Sequence, residues 1–147
     1  MPKVRGCNLP DELLYDVQNH IWFQELEGGN VKVGMTAVAT AMAGRLVAFT
    51  PKSVGKDVKA GKSCATIESG KWVGPAKVAG GGTVVEVNEA MVATPAIANE
   101  DPYTKGWLMI LKPENWAAVK PTLVPGSQVA GPYEAKMTAD GFAGCAG

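Results

Sequence analysis

Ser63-Cys64-Ala65-Thr66-Ile67-Glu68-Ser69-Gly70-Lys71-Trp72 reads as an extended run that stops at a glycine and hands a lysine to the turn. A lysine at a Gly-flanked turn between two extended runs is held out into solvent by a hairpin. That placement suits enzymatic acylation of the amine, because a modifying enzyme must reach round the whole side chain, and acylation removes the positive charge. Taken alone, Gly70-Lys71 describes an ordinary surface lysine, since lysines are mostly exposed.

Working outward, the flanking chain is rich in strand and turn signals. Gly80-Gly81-Gly82 leads into the β-branched run Thr83-Val84-Val85-Glu86-Val87-Asn88. Gly106 to Leu111 is almost wholly apolar and is expected to be a strand buried on both faces. Upstream, Ile21 to Leu26 and Val31 to Val33 flank Glu27-Gly28-Gly29-Asn30, a hairpin signal. Thr36 to Gly44 reads as a short helix, with Thr36 capping its start and Gly44 ending it. Arg45 to Thr50 is strand-like, and Pro51 stops it. A turn or two of helix fits Leu9 to Tyr15, and a brief helix opening at Pro113 fits Pro113 to Ala118. Many short strands with Gly-rich turns predict a mainly β sandwich or barrel with short peripheral helices.

Composition agrees and excludes other classes. Of 147 residues, 18 are Gly and 10 are Pro, too many helix breakers for a long-helix bundle. With 46% hydrophobic residues and four Trp, the chain has the apolar surface for a core. Fourteen basic and fourteen acidic residues cancel, so no global field points to nucleic acid. Residues 51–77 are locally basic, which predicts a basic environment around Lys71. No window approaches a membrane span, no secretory signal is expected, and a reducing, cytoplasmic setting follows. Cys7, Cys64 and Cys145 are too few and scattered for a disulfide framework or a zinc site. Cys64 is expected to be buried, and Cys7 and Cys145 to lie in mobile ends. The expected organisation is a leader over 1–19, a carrier domain over 20–120, and a Gly/Ala/Pro-rich, partly disordered tail over 121–147.

From Ile21 to Leu111 the sequence resembles the glycine cleavage H proteins, free-standing lipoyl carriers. The matching pieces are His20-Ile21-Trp22, Val33-Gly34-Met35-Thr36, Val54 to Gly61, Glu68-Ser69-Gly70-Lys71, Gly82 to Asn88 and Asn99 to Trp107, in family order and spacing. The resemblance implies a barrel-sandwich hybrid of two small sheets. It also implies lipoate in amide linkage to Lys71, beside Glu68, Ser69, Gly70 and Trp72. A carrier of this kind is a swinging-arm protein and not an enzyme; its implied partners include a lipoate-attaching enzyme. Biotin carriers flank their lysine with Met, whereas Lys71 lies between Gly70 and Trp72.

The departures bear on cargo. In the family, the loaded arm bears an ammonium that pairs with a groove glutamate, and a histidine faces the arm. Here Ile21 stands in the glutamate's place and Val38 in the histidine's. An ammonium without its counter-charge is disfavoured in such a groove. A dithiol arm also carries sulfur by disulfide exchange. The sequence looks most like the H-protein-like lipoate-binding proteins of bacterial sulfur oxidation, which work with a heterodisulfide-reductase-like complex. The alternative is a glycine cleavage H protein serving glycine decarboxylase, aminomethyl transferase and dihydrolipoyl dehydrogenase. An unmodified β-sandwich interaction module is a third reading, from another class. Glu68 reads as a recognition residue for the attaching enzyme or as a solvated strand end. Trp72 reads as an apolar bed for the arm or as a cover for nearby core. His20 and Trp107 are expected to be structural, and no metal site is expected.

Overall fold

The computed structural model describes residues 3–145; Met1-Pro2 of the leader and Ala146-Gly147 of the tail lie outside the described residues. In chain order the strands are β1 (Lys3–Val4), β2 (Cys7–Asn8), β3 (Leu14–Asp16), β4 (Ile21–Glu25), β5 (Val31–Met35), β6 (Leu46–Pro51), β7 (Asp57–Val58), β8 (Ser63–Ser69), β9 (Val73–Lys77), β10 (Gly82–Val87), β11 (Trp107–Pro113) and β12 (Val124–Pro125). The helices are α1 (Ala37–Ala43), α2 (Glu89–Ala93), α3 (Ile97–Glu100), α4 (Trp116–Val119) and α5 (Ala130–Asp140). Strands β12-β3-β4-β5-β11-β10-β7 form one antiparallel sheet, and β6-β8-β9 form a second. This is the mainly β architecture expected from the strand and turn pattern, in the barrel-sandwich form that the resemblance implies.

Local chemistry explains the elements that were read correctly. The β4/β5 connection turns on Gly28 and Gly29, both at positive φ, where a Cβ would strain the backbone. Thr36 caps α1 by accepting the Ala39 amide at 3.2 Å on its hydroxyl, and Gly44 ends the helix at φ 82°. Leu108, Met109 and Leu111 of β11 are buried, so that strand runs through the core.

Two cores result. The first lies between the sheets and includes Ile21, Phe23, Val33, Met35, Ile67 and Met109. The second lies behind β3 and β4, where Tyr15, Trp22, Val38, Val129, Tyr133 and Met137 pack together. Burial of each large apolar side chain there contributes about 1.5–3 kcal/mol.

The ends of the chain differ from expectation. Residues 121–145 are built into the fold: β12 pairs with β3, and α5 buries Tyr133 and Met137 in the second core. Spacing of four residues puts both on one helical face, and this apolar stripe outweighs the breakers Gly131 and Pro132 near the helix start. The leader forms no helix at Leu9–Tyr15; Leu14–Asp16 is a strand, because Tyr15 pairs across from Trp22 and is fully buried. The boundaries at 19/20 and 120/121 therefore do not divide the structure, since β3 and β12 both belong to the large sheet. Pro113 closes β11 instead of opening a helix, which starts at Trp116. Cys7 and Cys145 are joined in a disulfide, with Cα atoms 5.1 Å apart. Wide separation in sequence argued against pairing, but β2 and the segment after α5 meet in space. Cys64 is free and buried, and burial pushes its thiol up to about 12.

Candidate functional site: a lysine hairpin above an apolar groove

Gly70, Lys71 and Trp72 form the three-residue link between β8 and β9, beyond the last strand pair Glu68–Val73. The Ser69 amide donates to the Trp72 carbonyl at 2.7 Å and closes the turn. Ser69 is buried, and its hydroxyl accepts the Lys71 amide at 3.3 Å while lying 3.4 Å from the Trp72 carbonyl. The backbone of the lysine is therefore pinned while its side chain is exposed. A methyl on Gly70 would meet nothing within 4 Å, so the tip is open on that side. Glu68 is exposed on β8, opposite Ala48 of β6.

Beneath the tip runs a groove of about 500 Å³. The floor comes from the sheets, with Ile21, Met35 and Ile67; Ala39, Met42 and Ala43 of α1 form one wall. Trp72, Pro75 and Ala76 form the other wall, and Asn19 and His20 border it. Lys71 itself lines the groove: a Cβ on Gly44, at the end of α1, would lie 3.2 Å from Lys71 Cε. The glycine therefore gives the lysine stem room against the helix end. Trp72 is 42% exposed and its indole lies over Gly74, where any Cβ would collide with the ring. It thus covers its own strand and presents apolar surface to the groove. Carboxylates do not appear among the groove's lining residues.

Of the two groove candidates, Ile21 is on the floor, but Val38 is not in the groove. Val38 is fully buried in the second core, because one helical step of about 100° turns it away from Ala39. Positions 39, 42 and 43 share the groove face instead, a spacing already visible once α1 is read as a helix. Met35 and Met42 were missed as groove residues for want of that projection.

His20 has more to do than its isolation in sequence suggests. It adopts φ 58°, stacks on Tyr133 with ring centroids 5.6 Å apart, and places Nδ1 3.1 Å from the Tyr133 hydroxyl. Nε2 lies 3.8 Å from Asp140, which also pairs with Lys136. Burial holds the imidazole below its ordinary value, with Lys136 adding to the effect and Asp140 and Asp16 opposing it. One border of the groove is thereby mounted on α5. Trp107 is half-buried beneath the Lys32 ammonium, 5.3 Å from the ring centre.

The charge near the lysine differs from expectation. Lys52, Lys62 and Lys77 lie at the far end of the β6-β8-β9 sheet: the Lys52 amide donates to the Cys64 carbonyl, and Lys77 pairs with Ser63. The seven residues of β8 put roughly 20 Å between that basic end and Lys71.

Comparison with known proteins accounts for this arrangement. The family described as glycine cleavage H-protein matches residues 13–135. Glycine cleavage system H protein 5 of Aquifex aeolicus is 52% identical over 134 residues, covering 88% of this chain and 90% of that protein. H protein 2 of the same organism is 44% identical, covering 84% of this chain and 77% of its own. A crystal structure of a glycine cleavage system H protein from Mycobacterium marinum superposes with a TM-score of 0.73 at 34% identity, over 90% of this chain and 98% of that one. With its fold and its sequence matched over most of its length, the chain belongs to the glycine cleavage H-protein family.

Proposed function

We propose that Lys71 carries the lipoyl group of this protein, with Glu68, Gly70 and Trp72 forming the surface read by the lipoate-attaching enzyme and buried Ser69 fixing the turn beneath it. The family's members are non-catalytic carriers that hold lipoate covalently on a lysine, so the cofactor and the absence of a reaction centre follow from membership. The observation that carries the assignment is the meeting of hairpin and groove: one backbone-pinned lysine stands at the tip, with its stem over an apolar cleft. The donor set fits the group, since an amide needs an accessible amine and a hydrocarbon arm needs a dry seat. Bound there, lipoate supplies a dithiolane that takes up and releases cargo by thiol chemistry. Ser69 and Gly70 set the root of the arm; Ile21, Met35, Met42 and Trp72 exclude water from its bed. Among the described residues no helix is long and apolar enough to cross a membrane; we place the carrier in the cytoplasm beside its partner enzymes.

Of two cargoes, an aminomethyl group has more support from the comparisons than a sulfur species. The names of the relatives favour an aminomethyl group passed between glycine decarboxylase and aminomethyl transferase, with dihydrolipoyl dehydrogenase as third partner. One observation in the groove favours a neutral sulfur cargo passed to a heterodisulfide-reductase-like complex: Ile21 is on the floor and no carboxylate lines the bed to receive an ammonium. Co-expression with a lipoate-attaching enzyme followed by intact-mass measurement tests the site. Wild type gains one lipoyl mass and Lys71→Arg gains none; a modified Lys71→Arg chain refutes the assignment. Reconstitution then tests the cargo. Efficient aminomethyl transfer by the loaded protein selects the glycine-cleavage role, and transfer only of sulfur to the reductase-like complex selects the other.

A further inference from the structure

We propose that Cys7–Cys145 is a thiol–disulfide exchange site for neutral dithiols, and that its state sets how firmly α5 supports the groove. The bond joins the two regions that hold α5 in place. Beside it, Arg5 reaches across to α5, donating to Glu134 at 3.0 Å, to Thr138 at 2.8 Å and to the Phe142 carbonyl at 2.8 Å. The Cys145 amide donates to the Arg5 carbonyl at 2.9 Å. A Cβ at Gly6 would lie only 2.8 Å from the Cys145 carbonyl oxygen, so the two segments are in close contact. From this fastening α5 runs to the groove, where Tyr133 and Asp140 face His20, and Tyr133 also lies 3.1 Å from the Thr36 cap of α1. Release of the fastening therefore acts on a border of the groove and on the helix that forms its wall.

The bond is reachable from one side. Cys7 is fully buried and Cys145 only partly so. Both border an open depression of about 710 Å³. Among the described residues, Glu12, Glu100 and Asp101 line the same depression against Lys32, while nearby Arg5 is paired with Glu134, a field that repels anionic thiols and admits uncharged ones. Exchange runs in two displacements. A dithiol's thiolate attacks the Cys145 sulfur, and Cys7 leaves and takes up a proton. The second thiolate then attacks the dithiol's own sulfur in the mixed disulfide, which closes the dithiol's disulfide, and Cys145 leaves and takes up a proton. Two electrons pass: the dithiol ends as its disulfide, and the protein ends with two thiols.

The effect on the groove rests on reading that groove as the seat of the arm. The exchange and the mobility of α5 do not, so every assay below is read on the full chain before lipoylation, independently of Lys71. The full chain is incubated without reductant, with dithiothreitol, or with glutathione at equal thiol concentration, then alkylated and weighed. Expected are no native alkylation before reduction, two modified cysteines after dithiothreitol, and slower opening by glutathione. Amide hydrogen exchange over residues 130–140 rises on the order of tenfold on reduction, and the His20 ring signals in NMR shift. The Cys7→Ser, Cys145→Ser pair reproduces the reduced behaviour without reductant. Reactive Cys7 and Cys145 in the untreated protein overturn the site. Unchanged exchange in α5 together with an unmoved His20 signal overturns its coupling to the groove, and glutathione opening as fast as dithiothreitol overturns the preference for neutral dithiols.

Discussion

Trp22 occupies the space where a side chain at position 34 would be. A Cβ on Gly34 would lie 2.7 Å from the indole Nε1, and that nitrogen donates to the Pro102 carbonyl at 3.0 Å. Gly34→Ala must displace the ring or the β5 backbone, so a loss of about 1–3 kcal/mol is expected in urea unfolding. An unchanged midpoint would show that the ring moves freely. His20 makes a second prediction at this scale. Its folded value lies below its unfolded one because burial disfavours the charged imidazole. Above the unfolded value near 6.5 the ring is neutral in both states. As the pH falls below that value the unfolded chain gains the proton first, and stability declines until the folded value is passed. His20→Asn, which tolerates the positive φ, is expected to remove that decline between neutrality and the onset of carboxylate titration. Denaturant midpoints across this interval, wild type against variant, measure it.

Helix α5 shows how an element is held by few atoms. The Tyr133 hydroxyl lies 3.1 Å from both Thr36 Oγ1 and His20 Nδ1, and its ring meets Tyr15 edge-on at 6.4 Å. Tyr133→Phe keeps the ring and strips the hydroxyl from buried Thr36 and half-buried His20, for an expected cost of about 1–3 kcal/mol by chemical denaturation. Tyr133→Ala also opens a cavity, and about 3–5 kcal/mol is expected. Equal costs would mean that the polar contacts contribute nothing. This helix was also where the sequence was hardest to read. Thr36 and Gly44 mark α1 by local capping chemistry, and Gly28-Gly29 mark their hairpin by a backbone need; such signals reside in adjacent residues. The Tyr133/Met137 stripe of α5 has meaning only against Tyr15, Trp22 and Val38, more than ninety positions away. Val38 was misplaced for a related reason, since the family resemblance gave its position but not the direction in which it faces.

Across the whole molecule, the large sheet draws strands from both ends of the chain, and its order β12-β3-β4-β5-β11-β10-β7 follows no local pattern. The hairpin that carries Lys71 was legible because its signals are local; the groove below it needed β4, β5, α1, β8 and β9 to converge. The same non-local design makes residues 121–145 part of the folding unit. A chain ending at residue 120 loses Val129, Tyr133 and Met137 and uncovers Trp22 and Tyr15. It is expected to lose its near-ultraviolet circular dichroism and to bind a hydrophobic dye. A native-like spectrum from that truncated chain would mean that the second core is dispensable.

The link between residues 7 and 145 also decides how the molecule bears load. Pulled apart at those two positions, the protein transmits tension through one covalent bond, and neither the seven-stranded sheet nor the β6-β8-β9 sheet feels it. The 138-residue separation between the cysteines represents roughly 450–500 Å of contour that stays hidden from the force. Once the sulfurs part, the same pull reaches the edge strands and α5 directly, and a mechanically silent molecule becomes an extensible one.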